Sequence, residues 1–111
     1  MLNKEEFLKA AALPYIDVEA EGMGTVRLQA MSINTRDMFQ GVIEEVGDDN
    51  AGLLQAAFLV HCISDDKGEL LLSMDDVESI GAISCTVIDK LFIEAQRVNG
   101  MLESEQDTKK K

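Results

Sequence analysis

The sequence predicts one α+β domain that is dominated by helices and carries a single antiparallel β-hairpin near its N-terminus. Residues 15–30 alternate between apolar and polar side chains around a glycine-containing turn, which is typical of two paired strands. Apolar residues recur at helical spacing through 38–63 and 77–102. The chain has 111 residues, 46% of them hydrophobic, which suits one domain with one modest core.

The first thirty residues predict a short helix and then the hairpin. Asn3 and Glu6 form a variant of the capping box, and Pro14 ends the helix. The helix has an apolar face at Phe7, Leu8, Ala11 and Ala12. The inward faces of the two strands comprise Ile16, Val18 and Ala20, then Val26, Leu28 and Ala30. Two glycines in residues 21–24 favour a tight turn between them, because glycine adopts positive φ angles without strain.

Two helices are predicted in the middle of the chain. Ser32 or Asn34 caps the first, which ends at Gly47 and has its apolar face at Met38, Phe39, Val42, Ile43 and Val46. Residues 48–50 cap the next helix, which is apolar almost all round at Leu53, Leu54, Ala56, Ala57, Phe58, Leu59, Val60 and Ile63. Such a helix must be buried on most sides, either within the domain or against another subunit. We therefore predict self-association.

The second half of the chain predicts a turn, an extended segment and two more helices. Residues 65–68 form a polar turn and residues 69–72 an extended, strand-like segment. Ser73 and Asp76 cap a short helix that carries Val77 and Ile80. The last helix has an apolar stripe at Ile83, Cys85, Val87, Ile88, Leu91, Phe92, Ala95, Val98 and Leu102. Residues 103–111 contain no apolar side chain, so we predict a domain over 1–102 and a disordered polar tail over 103–111.

The charge of the chain excludes several classes of partner. With 21 acidic and 10 basic side chains, the net charge of -11 disfavours binding to nucleic acid and to anionic membranes. No segment approaches the ~18 consecutive apolar residues of a membrane-spanning helix, and the N-terminus lacks the pattern of a signal peptide. Two cysteines without a paired spacing fit a reducing cytoplasm.

No pattern in the sequence predicts an enzyme, a metal site or a cofactor. His61 and Cys62 are adjacent on a predicted helix and point about 100° apart, so they do not form a nucleophile pair. We predict that His61 is partly buried or interfacial and that Cys62 and Cys85 act as small apolar side chains. A calcium loop is also excluded, because Met74 occupies the position where a loop centred on Gly68 needs glutamate. The protein is therefore expected to bind other proteins without catalysing a reaction.

Four apolar residues are predicted to contact a partner. Met23 lies at the tip of the hairpin, where no core is available to bury it. Leu70, Leu71 and Leu72 are consecutive, so in an extended segment they cannot all face one side. Methionine adapts its shape to an irregular surface, which suits a contact with a variable partner.

Several motifs resemble those of the tail assembly chaperones of long-tailed, lambda-like bacteriophages. The run Ser32 to Phe39 is similar to the family's passage from a strand into a serine-capped helix with an Arg-Asp-x-Phe core. Residues 58–68 and 73–81 are similar to its apolar helix, Asp-x-x-Gly turn and following Asp-Val helix. Residues 91–100 are similar to its closing helix, which ends in Asn-Gly. The resemblance covers residues 13–102.

The resemblance implies a non-enzymatic chaperone in the cytoplasm of an infected or lysogenic bacterium. Such a chaperone keeps the long tape measure protein soluble, helps to recruit the tail tube protein, acts in several copies and is absent from the mature virion. The family often has a second, longer form that arises by ribosomal slippage. Lys109 to Lys111 fit such a slippage site, and they fit a plain basic tail equally well.

Two other functions fit the same residues. One is a structural head–tail or neck component, which would form rings and persist in the phage virion. The other is an acidic regulator that mimics nucleic acid and binds a basic host protein. The regulator needs carboxylates clustered on one face, whereas the acidic residues here are spread over caps, turns and the outer sides of helices.

Overall fold

The fold consists of helices and one small three-stranded sheet. A computed structural model describes residues 1–10, 13–47 and 49–101, without the side chains of residues 9 and 10. The elements are α1 (Lys4–Ala10), β1 (Tyr15–Ala20), β2 (Gly24–Gln29), α2 (Ile33–Val46), α3 (Ala51–Val60), β3 (Ile63–Ser64), a 3₁₀ turn (Met74–Asp76), α4 (Val77–Gly81) and α5 (Cys85–Val98). The predicted α+β class and its helical character are confirmed. Within the described residues, no helix is long and apolar enough to cross a membrane.

The N-terminal hairpin is present with the predicted inward face. β1 and β2 pair antiparallel from Tyr15 opposite Gln29 to Ala20 opposite Gly24. Val18, Ala20 and Leu28 are buried beneath α5, as the alternation predicted. The strand β2 ends at Gln29, one residue before the predicted Ala30.

The sheet has a third strand that was not predicted, and its first residue, Ile63, was expected to be helical. Residue 63 was expected to end α3, but α3 ends at Val60 and Ile63–Ser64 form β3, antiparallel to β2. The helix stops because the backbone of Cys62 turns toward the sheet, where its carbonyl accepts a hydrogen bond from the Gln29 N–H at 2.8 Å. Pairing with β2 therefore overrides the helical spacing of Ile63.

The core is built around α3, which packs against α2, α4 and α5. All five residues from Ala56 to Val60 are buried by the rest of the chain. The Phe58 ring meets Phe92 edge-on at 5.4 Å and Phe39 at 5.3 Å between centroids. The apolar character of α3 is thus accounted for within one chain, and it no longer supports the predicted self-association.

Capping side chains define where the helices begin. Ser32, and not Asn34, caps α2, since its Oγ accepts the Thr35 N–H at 3.1 Å. Asn50 caps α3, and Ser73 with Asp76 forms a capping box at the 3₁₀ turn, as predicted. The predicted capping box of α1 is also present, because the Asn3 Oδ1 accepts the Glu6 N–H at 2.8 Å.

Four residues of the predicted apolar faces lie at the surface, and Phe7 and Leu8 of α1 are two of them. Met38 is exposed on α2, a helix that has no buried residue. Cys85 is also exposed, although it is on the apolar stripe, because it is the first residue of α5 and the buried residues of this helix, Leu91 and Ala95, lie in its later turns. Ala11, Ala12, Leu102 and the predicted tail 103–111 lie outside the described residues.

Candidate protein-binding site

Three of the four residues predicted to contact a partner line one groove. Met23, Leu71 and Leu72 come from the hairpin turn and the segment after β3, and they meet across the end of the sheet. Met23 is 44% exposed and Leu71 is 62% exposed, whereas Leu72 is partly buried against both clusters of the core. The structure thus brings together side chains that are almost fifty positions apart in the sequence.

The groove has a volume of about 290 Å³ and a mostly apolar surface, and it is called here the β2 groove. Its remaining lining residues are Thr25, Val26, Arg27, Leu59, Ile63, Ser64, Ile80, Ile83, Ile88 and Leu91. Buried core residues such as Leu59 and Leu91 form its floor, and exposed Met23 and Leu71 stand at its rim. A fixed apolar floor with adaptable rim residues is suited to binding an apolar segment of another protein.

The position of Met23 is set by the hairpin turn. Gly22 and Gly24 have φ angles of 83° and 94°, which residues with a side chain rarely adopt. The Met23 N–H donates to the Ala20 carbonyl at 3.0 Å. The side chain is therefore presented at the rim of the groove by a well-defined turn.

The position of Leu71 is set by β3 and by the turn that precedes it. The Leu71 N–H donates to the Ile63 carbonyl at 3.1 Å. In the turn, the Asp65 Oδ1 accepts the N–H groups of Glu69 at 3.0 Å and Lys67 at 2.8 Å, and these bonds lower the pKa of Asp65. The turn thereby directs the chain back along β3 and brings Leu71 to the groove.

Leu70 is the predicted contact residue that does not line the groove. It forms an isolated β-bridge with Ser64 and is exposed. Leu70 is not among the residues that line the groove, although its neighbours Leu71 and Leu72 both are. Leu70 therefore lies outside this site.

Arg27 is the one cation among the described residues that line the groove, and it already has a partner. Arg27 Nε and Nη2 donate to the two carboxylate oxygens of Asp17 at 2.9 and 3.2 Å. This hydrogen bonding lowers the pKa of Asp17 and raises the pKa of Arg27. The guanidinium also lies 3.8 Å from the centre of the Tyr15 ring. Arg27 is therefore held on the outer face of the sheet, and the binding surface of the groove is mainly apolar.

Four further residues that line the groove were not predicted to do so, namely Thr25, Ser64, Ile83 and Ile88. The isoleucines belong to the apolar stripe that was assigned to the core, and periodicity does not distinguish a core position from the wall of an open groove. Ser64 was placed in no element, since the third strand was not predicted. Nothing in the local sequence pattern marks these four residues as neighbours.

A second apolar groove of about 310 Å³ lies between α2, α3 and α5. It is lined by Phe39, Ile43, Ala51, Leu54, Gln55, Phe58, Phe92 and Met101. Met101 borders residues 102–111, which lie outside the described part of the chain. The β2 groove contains three of the four predicted contact residues, so it is the stronger candidate.

His61 and Cys62 are buried, whereas Cys85 lies at the surface. The His61 Nδ1–H donates to the Ala57 carbonyl at 2.7 Å, and the ring is buried beside Phe39. Burial raises the pKa of the Cys62 thiol to about 12, while Cys85 is exposed at the start of α5. Across residues 1–10, 13–47 and 49–101, no three His, Cys, Asp or Glu side chains form a group that could hold a metal ion.

Comparison with known proteins adds no relative. No protein-family model matches the chain, and no curated protein and no solved structure gives a significant match.

Proposed function

We propose that this protein is a non-enzymatic chaperone of phage tail assembly. It binds apolar segments of the tape measure protein in the β2 groove and supports assembly of the tail tube around that protein. The observation that carries the proposal is the groove itself, in which the predicted contact residues Met23, Leu71 and Leu72 meet. The motifs between Ser32 and Gly100 that resemble tail assembly chaperones supply the identity of the client.

The balance of charge and apolar surface supports a holding role. An exposed apolar groove favours contact with any unfolded apolar segment, including one on another copy of a loaded chaperone. A net charge of -11 opposes such further association, because loaded complexes repel one another. The same charge favours clients that are neutral or basic around the bound segment.

The proposal is tested with the tape measure protein encoded in the same phage genome. That protein is diluted from denaturant with and without the chaperone, and its aggregation is followed by light scattering. We expect the wild-type chaperone to suppress aggregation and the Met23→Ser/Leu71→Ser variant to lose most of that effect. Both side chains are exposed at the rim, so the substitutions change the free energy of unfolding by only about 0.5 kcal/mol each.

The matched control is the Ile33→Ser/Met38→Ser variant, which removes two exposed apolar side chains from α2. These residues lie outside the β2 groove, so this variant should suppress aggregation as the wild type does. Equal suppression by the groove variant and the control would contradict the proposed function of the β2 groove.

A structural component of the virion is the second candidate. The observation that favours it is the exposed apolar surface outside the groove, at Phe7, Leu8, Ile33 and Met38, which neighbours in a ring could cover. Mass spectrometry of purified virions separates the two functions. A chaperone is absent from the particles, whereas a head–tail or neck component is present in a fixed number of copies.

A further inference from the structure

The strand β2 is paired over its full length on one side only. All six of its residues have partners in β1, whereas β3 pairs with Arg27 and Leu28 alone. In the part of the chain that the structure describes, no strand lies beside residues 24–26 on that second side. The open half of the edge coincides with the β2 groove, which Thr25, Val26 and Arg27 line.

The main chain of Thr25 faces this open edge. Ala30 N–H donates toward β1, to the Pro14 carbonyl, and Gln29 N–H donates the other way, to the Cys62 carbonyl. Backbone groups of successive strand residues point to alternate sides, so those of Thr25 point the same way as those of Gln29. The N–H and C=O of Thr25 are therefore directed into the groove, where β3 has already ended.

A buried hydroxyl lies at the same place. Ser64, the last residue of β3, lines the groove and is 4% exposed, and its Oγ has no hydrogen-bond partner among the described residues. Buried hydroxyl groups in proteins are nearly always hydrogen-bonded. The main-chain N–H and C=O groups of a bound segment would supply hydrogen-bond partners for both the Ser64 hydroxyl and the Thr25 backbone.

We propose that the β2 groove binds its client by β-strand addition. An extended segment of the client continues the line of β3, pairs its main chain with Thr25 and hydrogen-bonds to the Ser64 Oγ. Its alternate side chains are apolar and pack between Met23 and Leu71, and basic residues flank it because the chain is strongly acidic. This inference rests on the proposed function and adds the conformation in which the client is recognised.

Strand addition explains why the groove is open at an edge. A helix satisfies its own backbone and would leave the Thr25 groups and the Ser64 hydroxyl without partners. An extended segment supplies main-chain donors and acceptors along its whole length and places every second side chain on the apolar floor. Such recognition tolerates different client sequences, since most of the hydrogen bonds come from the main chain.

The test uses a labelled peptide, acetyl-Lys-Val-Thr-Val-Ile-Val-Thr-Lys-amide, and the full-length protein. Binding is measured by fluorescence anisotropy for the wild type and for the Thr25→Pro and Thr25→Val variants. Proline removes the N–H that faces the groove and breaks no bond to β1, whereas valine keeps that N–H. Both variants lose the bond from the Thr25 hydroxyl to Glu19, so they are matched in every other polar group.

We expect Thr25→Pro to weaken binding roughly tenfold, which is the effect of losing about one hydrogen bond between uncharged groups. Thr25→Val should bind the peptide as the wild type does. A version of the peptide with N-methyl groups on alternate residues should also bind wild-type protein weakly, a result that does not depend on the folding of any variant. Ser64→Ala should weaken peptide binding about threefold while leaving thermal stability unchanged, because the hydroxyl has no partner to lose in the free protein.

Equal binding of the normal and N-methylated peptides, or equal binding by the proline and valine variants, would overturn strand addition. Stronger binding of a helix-forming peptide with the same apolar residues would do so as well. Aggregation assays keep the two proposals apart. If Thr25→Pro suppresses client aggregation fully while Met23→Ser/Leu71→Ser does not, the chaperone function is supported and strand addition is contradicted.

Discussion

The helices α1 and α3 begin in the same way and are covered in opposite ways. Each is capped by an asparagine whose side chain accepts an N–H three residues later, Asn3 in α1 and Asn50 in α3. In α3, Phe58 is 2% exposed within the core, whereas in α1 Phe7 is 60% exposed. Capping residues therefore define where a helix begins, but they do not determine whether the helix is buried.

The difference follows from what surrounds each helix. α3 lies between α2, α4 and α5, so every side of its last five residues meets another part of the chain. α1 precedes the sheet, has only seven residues and is shorter than the ~12–15 residues at which isolated helices become stable in water. The caps supply the start of α1, but tertiary packing supplies most of the stability of α3.

The largest expected effect compares one substitution in the two helices. Phe58→Ala should lower the free energy of unfolding by about 3–5 kcal/mol, because it removes a buried ring and leaves a cavity beside Phe92 and Phe39. Phe7→Ala should change it by less than about 0.5 kcal/mol. Urea denaturation followed by circular dichroism measures both values. A large loss for Phe7→Ala would show that α1 packs against the domain in solution.

The two cysteines also differ in burial, and the buried one should make the free energy of unfolding depend on pH. The pKa of Cys62 is raised by burial from 9.0 to about 12 in the folded chain, so the unfolded chain loses its thiol proton first as the pH rises. Below pH 9 this thiol has no effect, and above it the free energy of unfolding should fall by up to about 1.4 kcal/mol per pH unit. Urea denaturation at several pH values between 8 and about 10.5 measures this slope.

Cys62→Ala isolates the contribution of this thiol. The variant should lose that part of the slope, although it is less stable at every pH because a buried side chain is shortened. Cys85→Ala is the matched control, since Cys85 is exposed, and it should keep the full slope. A slope that follows Cys85 instead of Cys62 would mean that the two cysteines have exchanged environments relative to the structure.

Much of the fold could be predicted because its signals are local. The glycines of the hairpin turn, the caps at Ser32, Asn50 and Ser73, and the alternation in β1 and β2 each depend on neighbouring residues. β3 could not be predicted in this way. Its first residue, Ile63, continues the helical spacing of α3, and only the distant backbone of β2 makes Ile63 and Ser64 extended.

The candidate site was predictable in part for the same reason. Met23 was predicted because a hairpin tip offers no core, and Leu71 because three consecutive leucines cannot all face one side; both line the groove. Thr25 and Ser64 matter only because β3 is short and ends beside β2, which is a property of long-range pairing. Local sequence can thus indicate which apolar residues are left exposed, while the polar groups beside them emerge only from the fold.

The smallest expected effect concerns the caps of α1 and α3. Asn50→Ala should lower the free energy of global unfolding by about 1 kcal/mol, because the Leu53 N–H loses its acceptor at the start of a helix that folds with the core. Asn3→Ala removes the equivalent bond to the Glu6 N–H and should leave global unfolding unchanged. Urea denaturation of both variants, with Asn50→Ser as a variant that keeps a capping oxygen, measures the difference.

Hydrogen exchange shows whether the Asn3 cap stabilises α1 alone or the whole domain. If α1 opens independently of the domain, Asn3→Ala changes only the local equilibrium between helix and coil, so the amide of Phe7, which donates to the Asn3 carbonyl, exchanges faster while the amides of α3 do not. Equal losses of global stability for Asn3→Ala and Asn50→Ala would mean that α1 unfolds together with the core. In that case the exposed face of α1 would have to be covered in solution. The two helices would then differ in what covers them and not in how stable they are.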